Sequence, residues 1–447
     1  MMSFPTIFVV LAAALIACGG DGGSTSVDGQ TGNHPPARVI AGGGIGDGAV
    51  DGVVNLYVID DATRAPVSGA AVTVGTVAGT TDATGLFVAD GVTGPQSVVV
   101  KASGYRSEMW VGANGANMTV DVQVATPATP PSATVAGQIL GFSSIIVPTG
   151  HARLAAVTYS QTDNLGDAAN SIATPNDTNV CVALAATATP CTFTVTTRVG
   201  NVSLIALIFD RDLNGTPDDF SDDTQTLIGY AALTNLTVAS GVAQTGKDLT
   251  IIPDAMIASE TVDFGTPPSG LSTVEGIIGL DLPGGDVFQI GDFAMAGNLT
   301  LRVPSLASVN ATGYRLSSIA ENSTAADAAQ SVTLHRDLTS STLSAGTWLA
   351  LPSSVNIAHT MAAWTAVPGA TVNGLEYDSG TTALLNITTF DGTTSVMIPD
   401  LELLPSGTLT AKVSAIGAPG LDVTNFSLDA DKAKLSEVAS QPAQVGN

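Results

Sequence analysis

The fold class follows from residues 53–111, which read VVNLYVIDDATRAPVSGAAVTVGTVAGTTDATGLFVADGVTGPQSVVVKASGYRSEMWV. Small and β-branched apolar residues form short runs here, and Gly, Pro or Asp interrupts each run. Such runs, separated by turn residues, are typical of the strands of an all-β sandwich. The pattern predicts a strand at 55–59 and a second strand in which Ala70, Val72 and Val74 face a core.

Three pieces of this stretch, APVSGAAVTV, TDATGLF and VVVKASGY, resemble the carboxypeptidase regulatory-like domain, a small transthyretin-like β-sandwich. The resemblance covers residues 50–125 and implies a scaffold or docking module without catalytic residues of its own. At the central turn we expect Asp82 to accept hydrogen bonds from turn amides and Gly85 to adopt a positive φ. Tyr105 is expected to lie back over the edge of the sheet.

The N-terminus carries an uncharged apolar run, Phe4–Ala17, that ends at Cys18. The run is shorter than the ~20 residues of a membrane span and has the length of a signal-peptide core. Its end, LIAC, resembles the lipobox of bacterial lipoproteins, which implies a signal peptide over residues 1–18 and acylation of Cys18. The resemblance also implies that the membrane is a partner through the lipid anchor. In that family an Asp after the cysteine retains some members at the inner membrane. This chain has Gly19 there, so the resemblance implies the outer membrane, with the protein facing either the periplasm or the cell surface.

The opening MMSFPT lacks Lys and Arg, so only the α-amine supplies the positive charge that precedes the apolar run of a signal peptide. The alternative to a lipoprotein signal is a plain secretory signal in which the cysteine occurs by chance. Residues 19–49 are rich in glycine and hold little to bury, so they predict a flexible tether. The net charge of −25 argues against nucleic acid and anionic membrane surfaces as partners.

A length of 447 residues favours roughly two to four domains. The Pro-rich segment TPATPPSAT, residues 126–134, is a natural boundary after the first one. A second β-domain is predicted at 135–253 and a C-terminal β region at 270–435. The segment LDADKAKLSEVASQPAQVGN at the end is interpreted as a short helix or a frayed tail.

Residues 345–430 of the C-terminal region resemble a divergent fibronectin type III domain. The resemblance rests on a Trp before a PGA turn, a later IPDL, and LPSGTLTAKVSAI. In such domains the Trp anchors the core, so Trp364 is expected to be buried and not to form a sugar-binding platform.

Cys181 and Cys191 lie in CVALAATATPC and are the two thiols that remain once Cys18 is assigned to lipid. An even pair in an exported protein predicts a disulfide. A redox or metal site would require a two-residue spacing or histidine partners, and this segment has neither.

An acidic loop follows the apolar run LIALIF, with the sequence DRDLNGTPDDFSDD at 210–223. Its alternating oxygen side chains around Gly215 resemble calcium loops of the EF-hand or dockerin type. The resemblance implies a weak Ca²⁺ site with ligands from Asp210, Asp212, Asn214, the Thr216 carbonyl, Asp218 and Asp222.

This loop departs from the calcium-binding pattern at its last position. Position 12, usually a bidentate Glu, is Ser221, so Asp219 or Asp222 would have to replace it. The alternative is a solvated acidic β-turn, because Asp, Asn and Gly are common turn residues.

No hydrolase, zinc-protease or P-loop motif is present, and the histidines at 34, 151, 335 and 359 are far apart in the chain. We therefore expect a non-enzymatic envelope lipoprotein built from tandem β-sandwich domains, with a structural, adhesion or docking role toward an unknown protein or glycan. The alternative is a polysaccharide-binding accessory protein of a carbohydrate-active system, less plausibly a hydrolase. Exposed aromatic side chains would distinguish the glycan-binding alternative.

Overall fold

The computed structural model describes residues 35–125, 131–162, 180–185, 187–216, 222–294, 298–322, 328–380, 382–399 and 403–446. These residues form an all-β protein, as predicted. The α-helices among them are single turns at Leu306–Val309 and Leu428–Asp431. Cys18 and Asp218 lie outside the described residues.

The first unit, residues 35–125, is a sandwich of two sheets. One sheet contains β1, β8, β2 and β5, and the other contains β7, β6, β3 and β4. The strands are β1 (Gly44–Gly46), β2 (Asp51–Asp60), β3 (Ala71–Val74), β4 (Val77–Thr80), β5 (Leu86–Thr93), β6 (Gln96–Lys101), β7 (Ser107–Ala113) and β8 (Asn117–Val122).

The local predictions for this unit are confirmed. Ala70, Val72 and Val74 are buried in its core. Asp82 Oδ1 accepts hydrogen bonds from the backbone N–H groups of residues 84 and 86, and Gly85 has a φ of 75°. The Thr84 hydroxyl also donates to Asp82 Oδ1 at 2.7 Å, and this bond, together with the two backbone bonds, holds the pKa of Asp82 below its usual value.

The predicted tether differs from the structure over residues 35–49. Here β1 pairs with β8, and Ile45 is fully buried in the core of the first unit. Glycine allows this packing, since a Cβ on Gly44 (φ 142°) would lie 2.2 Å from the Phe426 carbonyl oxygen. A glycine-rich composition therefore indicated flexibility where close backbone packing uses the same residues.

The second unit, described residues between 131 and 252, is one curled sheet. Its described strands run in the order β12-β10-β14-β15-β16-β9-β13 around a common core. The strands of this sheet are β9 (Ser132–Leu140), β10 (His151–Tyr159), β12 (Val180–Leu184), β13 (Cys191–Arg198), β14 (Gly200–Asp212), β15 (Thr224–Val238) and β16 (Leu249–Ile251). A two-residue strand that follows β10 in the chain, β11 (Gln161–Thr162), lies outside this sheet.

The third unit, residues 257–344, is again a sandwich. Its two sheets have the orders β19-β18-β21-β22 and β20-β17-β23. The strands are β17 (Ile257–Asp263), β18 (Thr273–Asp281), β19 (Asp286–Ala294), β20 (Asn298–Pro304), β21 (Gly313–Glu321), β22 (Gln330–Leu338) and β23 (Thr342–Ser344).

The fourth unit, residues 353–446, packs the sheet β24-β25-β28 against β31-β29-β26-β27. Trp364 is 5% exposed and belongs to this core, as predicted. The strands are β24 (Ser353–Ile357), β25 (Met361–Thr365), β26 (Val372–Ser379), β27 (Thr382–Thr389), β28 (Ser395–Met397), β29 (Thr410–Gly417), β30 (Phe426–Ser427) and β31 (Glu437–Gln444).

The units share strands. In the described part of the chain, one thirteen-stranded sheet has the order β11-β19-β18-β21-β22-β31-β29-β26-β27-β7-β6-β3-β4. In it β31 of the fourth unit pairs with β29 of its own unit and with β22 of the third unit, and β27 pairs in parallel with β7 of the first unit. In addition, β30 pairs with β1 in the other sheet of the first unit.

The prediction of a short helix or frayed tail at the C-terminus is correct for one helical turn and wrong for β31. This strand is hydrogen-bonded along both edges, and its Ala439 and Ser440 are at most 1% exposed. Because it buries small residues and contains Pro442, its sequence lacks the alternation of large apolar residues by which a strand is usually predicted.

Candidate functional site

The predicted calcium loop connects β14 and β15, and its described residues bond to one another and to β10. Asp212 Oδ1 accepts the backbone N–H of Asn214 at 2.9 Å, and Asn214 and Gly215 have φ of 48° and 77°. Asp222 accepts from Thr216 Oγ1 at 3.0 Å and from Asn214 Nδ2 at 3.3 Å. The described part of the loop is thus a turn in which the polar side chains of the loop bond to one another and to its backbone.

Asp210 contacts a neighbouring strand instead. Its Oδ1 is 2.8 Å from His151 Nδ1 on the neighbouring strand, while Asp212 Oδ1 is 3.7 Å from the other ring nitrogen. Among the described residues no group of three or more His, Cys, Asp or Glu side chains is arranged to hold a metal ion. Asp218, one of the predicted ligands, lies outside them, so calcium binding stays a prediction.

Cys181 and Cys191 are bonded through their sulfur atoms, with Cα atoms 5.5 Å apart. That separation is in the usual range for a disulfide. The pairing agrees with the sequence-based prediction.

The three described histidines lie in three different units. His151 is beside Asp210, His335 Nε2 is 2.9 Å from the Ala345 carbonyl oxygen, and His359 Nδ1 is 3.3 Å from the Gly446 carbonyl oxygen. The fold therefore does not bring these imidazoles together.

A cavity of about 80 Å³ lies where the first and fourth units meet, and sequence reasoning did not find it. Residues 421–435, which follow β29, cover one side of it. Among its lining residues are Glu108, Trp110, Asp121, Val372, Asn386 and Phe390. The rings of Trp110 and Phe390 contact edge to face, with centroids 5.3 Å apart.

Two carboxyl groups lining this cavity are deeply buried, with Glu108 4% and Asp121 8% exposed. Burial raises the pKa of Glu108 well above its usual value, against the opposing charge of Arg106. Burial, together with the charge of nearby Asp61, raises the pKa of Asp121 to about 8. Perturbed carboxyl groups that line a cavity mark a candidate binding site.

The signal for these residues was a charge inside an apolar strand. Glu108 stands in SEMWV and Asp121 in NMTVDV, where most neighbours are apolar or β-branched. Asp and Glu are rarely fully buried without a partner. The sequence alone does not show that the two strands meet the fourth unit.

No profile of a known protein family matches the chain, and no curated protein matches it. Among solved structures, the chain is 14% identical to the shaft pilin SpaA of Lactobacillus rhamnosus GG, with 46% of this chain and 98% of the pilin covered and a TM-score of 0.13. It is 11% identical to the Ca²⁺-stabilized adhesin with which an Antarctic bacterium binds ice, with 89% and 99% covered and a TM-score of 0.15.

The third likeness is to the alpha-2-macroglobulin of E. coli, at 9% identity and a TM-score of 0.14. It covers 86% of this chain and 27% of the macroglobulin. TM-scores this low carry no argument about function. Among the described residues, no helix is both long and apolar enough to cross a membrane.

Proposed function

We propose that this chain is a lipid-anchored envelope protein with a structural, adhesion or docking role, and that it is not an enzyme. The supporting observation is the thirteen-stranded sheet, which joins strands of all four units. Units that share strands resist bending at their junctions. Such stiffness suits a protein that holds a surface away from a membrane.

The proposed anchor rests on the LIAC motif at residues 15–18. A net charge of −25 keeps such a body soluble and repels it from anionic lipid, so attachment would depend on the acyl chains. The first described residues, which begin at 35, pack beside β8 in the first unit. That unit would therefore be the one nearest the membrane.

The polysaccharide-binding alternative needs exposed aromatic rings, and the surface does not favour it. The three tryptophans, Trp110, Trp348 and Trp364, are at most 9% exposed. Each of the six tyrosines is at least partly buried. We therefore place the structural or adhesion role first.

The experiment has two steps, and the first tests the anchor. Cys18→Ser is expected to move the protein from the membrane fraction to the soluble fraction or to stop its processing. Ser24→Ala, in the same segment, is the matched control and should stay in the membrane. A Cys18→Ser protein that remains with the membrane in its mature size would contradict the anchor.

The second step compares cells that carry the wild-type protein, the Cys18→Ser protein, or neither. Retention on a surface under flow and envelope permeability to a dye are measured. We expect the Cys18→Ser cells to resemble the deletion in at least one assay. If all three strains behave alike in both assays, the structural or adhesion role is wrong.

A further inference from the structure

The cavity between the first and fourth units holds buried oxygen atoms that lack hydrogen-bond partners. Asn386 Nδ2 donates to one carboxyl oxygen of Glu108, Oε2, at 2.9 Å. The other oxygen, Oε1, has no partner among the described residues, and neither does Asn386 Oδ1 or Asp121 Oδ2. All three residues line the same cavity.

Leaving such atoms without a donor is costly, because each has lost its water. A ligand that satisfies them must carry N–H or O–H donors. It should also be positively charged, because two of the three acceptors belong to carboxyl groups. Most of the remaining wall is apolar, with Trp110, Val372 and Phe390 among its members.

A primary ammonium ion matches this set of groups. It has three N–H donors and one positive charge, and its alkyl chain suits apolar walls and aromatic rings. A calcium ion fits less well, because it requires six to eight oxygens and this wall is largely apolar. A cavity of about 80 Å³ limits the ligand to a few heavy atoms.

We propose that this cavity binds a small primary alkylammonium ion, with Glu108, Asp121 and Asn386 as the N–H acceptors. The ligand lies where residues 421–435 cover the junction of β7 with β27. Its binding ties the first unit to the fourth, since Glu108 and Asn386 come from opposite sides of that junction.

Binding is coupled to protons. The ammonium ion favours ionised carboxylates, whereas burial favours their protonated forms, so binding releases protons and strengthens as the pH rises toward 8. Other charged groups act on the same carboxyls. They are Asp61, Arg64, Arg106 and Glu376 around the pair, and Asp431 and Lys432 in the cavity wall.

The test is calorimetric titration of the full chain with methylammonium and propylammonium chloride, with potassium chloride at equal ionic strength as the reference. A ligand this small gives a dissociation constant on the order of 1 mM. We expect saturable binding of one equivalent, tighter at pH 8 than at pH 6.

Glu108→Gln removes one acceptor and one charge and is expected to weaken binding roughly tenfold or more. The matched control is Glu321→Gln, since Glu321 is also a buried carboxyl (3% exposed) with an unpartnered oxygen, but in the third unit. It should bind like the wild type. If Glu108→Gln and Glu321→Gln bind equally well, the site is elsewhere on this acidic protein and the proposal is wrong.

A second variant guards against a folding defect. Gly374 lines the cavity, and a Cβ there meets Ile416 and Ser414 at 3.8 Å, ordinary contact distances. Gly374→Ala is therefore expected to keep the melting temperature and to weaken propylammonium binding, because its methyl group takes part of the cavity. The absence of saturable heat with either amine on the wild type would also overturn the proposal.

Discussion

Cys181 and Cys191 join the two outermost strands of one sheet. In the described strand order of the second unit, β12 is at one end and β13 is at the other, and the disulfide connects them. Cys191 is fully buried in the core of that unit. The bond therefore closes a curled sheet whose edges are not joined by a ladder of backbone hydrogen bonds among the described residues.

The first prediction follows from this closure. Replacing both cysteines by serine is expected to lower the free energy of unfolding by roughly 3 kcal/mol, the chain-entropy value for a loop of this size. Denaturant titration measures the change, and Cys18→Ser is the control that leaves the loop intact. Complete alkylation of both thiols in the native, unreduced protein would show that the bond does not form.

The second prediction concerns the junction of the second and third units. Asp286 Oδ2 accepts from Arg198 Nη2 at 2.7 Å and from Ser160 Oγ at 3.0 Å, and the charged side chains are 11–12% exposed. Asp286→Ala leaves a buried guanidinium without this partner, so we expect a loss of about 3–5 kcal/mol in stability.

The control for this junction is Asp254→Ala. Asp254 pairs with Arg302 at 3.2 Å, but the side chains are 84% and 52% exposed. Exposed pairs contribute little, so the change in stability should stay within about 1 kcal/mol. An Asp286→Ala loss that also stays within about 1 kcal/mol would contradict the predicted contribution of the buried junction.

The third prediction is a pH dependence that arises from Asp121. Its pKa is raised to about 8 by burial, from an ordinary value of 3.8. Between these values the folded chain holds a proton that the unfolded chain has lost, so this group makes stability fall as the pH rises from about 4 to 8. Asp121→Asn cannot ionise. It should therefore melt at least ~2 °C higher than the wild type at pH 8.5 and close to it at pH 4.

Asp422→Asn is the control, because the pKa of Asp422 is shifted in the opposite direction from that of Asp121. Thr424 donates to Asp422 from its hydroxyl and backbone N–H, and these bonds lower the pKa of the carboxyl. Its contribution to stability is present above the ordinary pKa and is lost in acid. If Asp121→Asn follows the wild-type pH profile, Asp121 is ionised in the folded protein.

The sequence predicted features whose causes are local. The hydrogen bonds of the Asp82 turn join residues that are at most four positions apart in the chain. The two cysteines of the disulfide are ten positions apart. The alternation at Ala70, Val72 and Val74 depends only on the pleat of one strand.

Features that depend on distant pairing were missed. Glu108 and Asn386 are 278 residues apart and meet because β7 pairs with β27. The strand β31 has small buried residues, and its position between β22 and β29 is set by those neighbours. No window of sequence contains either relationship, so the cavity between the first and fourth units could not be inferred.

The fourth prediction is weak calcium binding at the β14–β15 loop. The predicted ligands that lie among the described residues are Asp210, Asp212, Asn214, Thr216 and Asp222, and the bidentate Glu of the calcium loops that this segment resembles is absent. A dissociation constant of about 10⁻⁴ to 10⁻³ M is expected. At a few times that concentration the ion would stabilise the second unit by about 1 kcal/mol. Melting curves in millimolar calcium and in chelator measure this.

The structure sharpens the choice of variants for the loop. Asp210 contacts His151, and Asp212 accepts a hydrogen bond from the backbone N–H of Asn214. Calcium must compete with both of these contacts. Asp210→Ala with Asp212→Ala is expected to abolish the calcium shift, while the exposed Asp254→Ala keeps it. A wild-type melting curve that calcium does not move would contradict the site. A full shift in the double variant would place the ion elsewhere on the acidic surface.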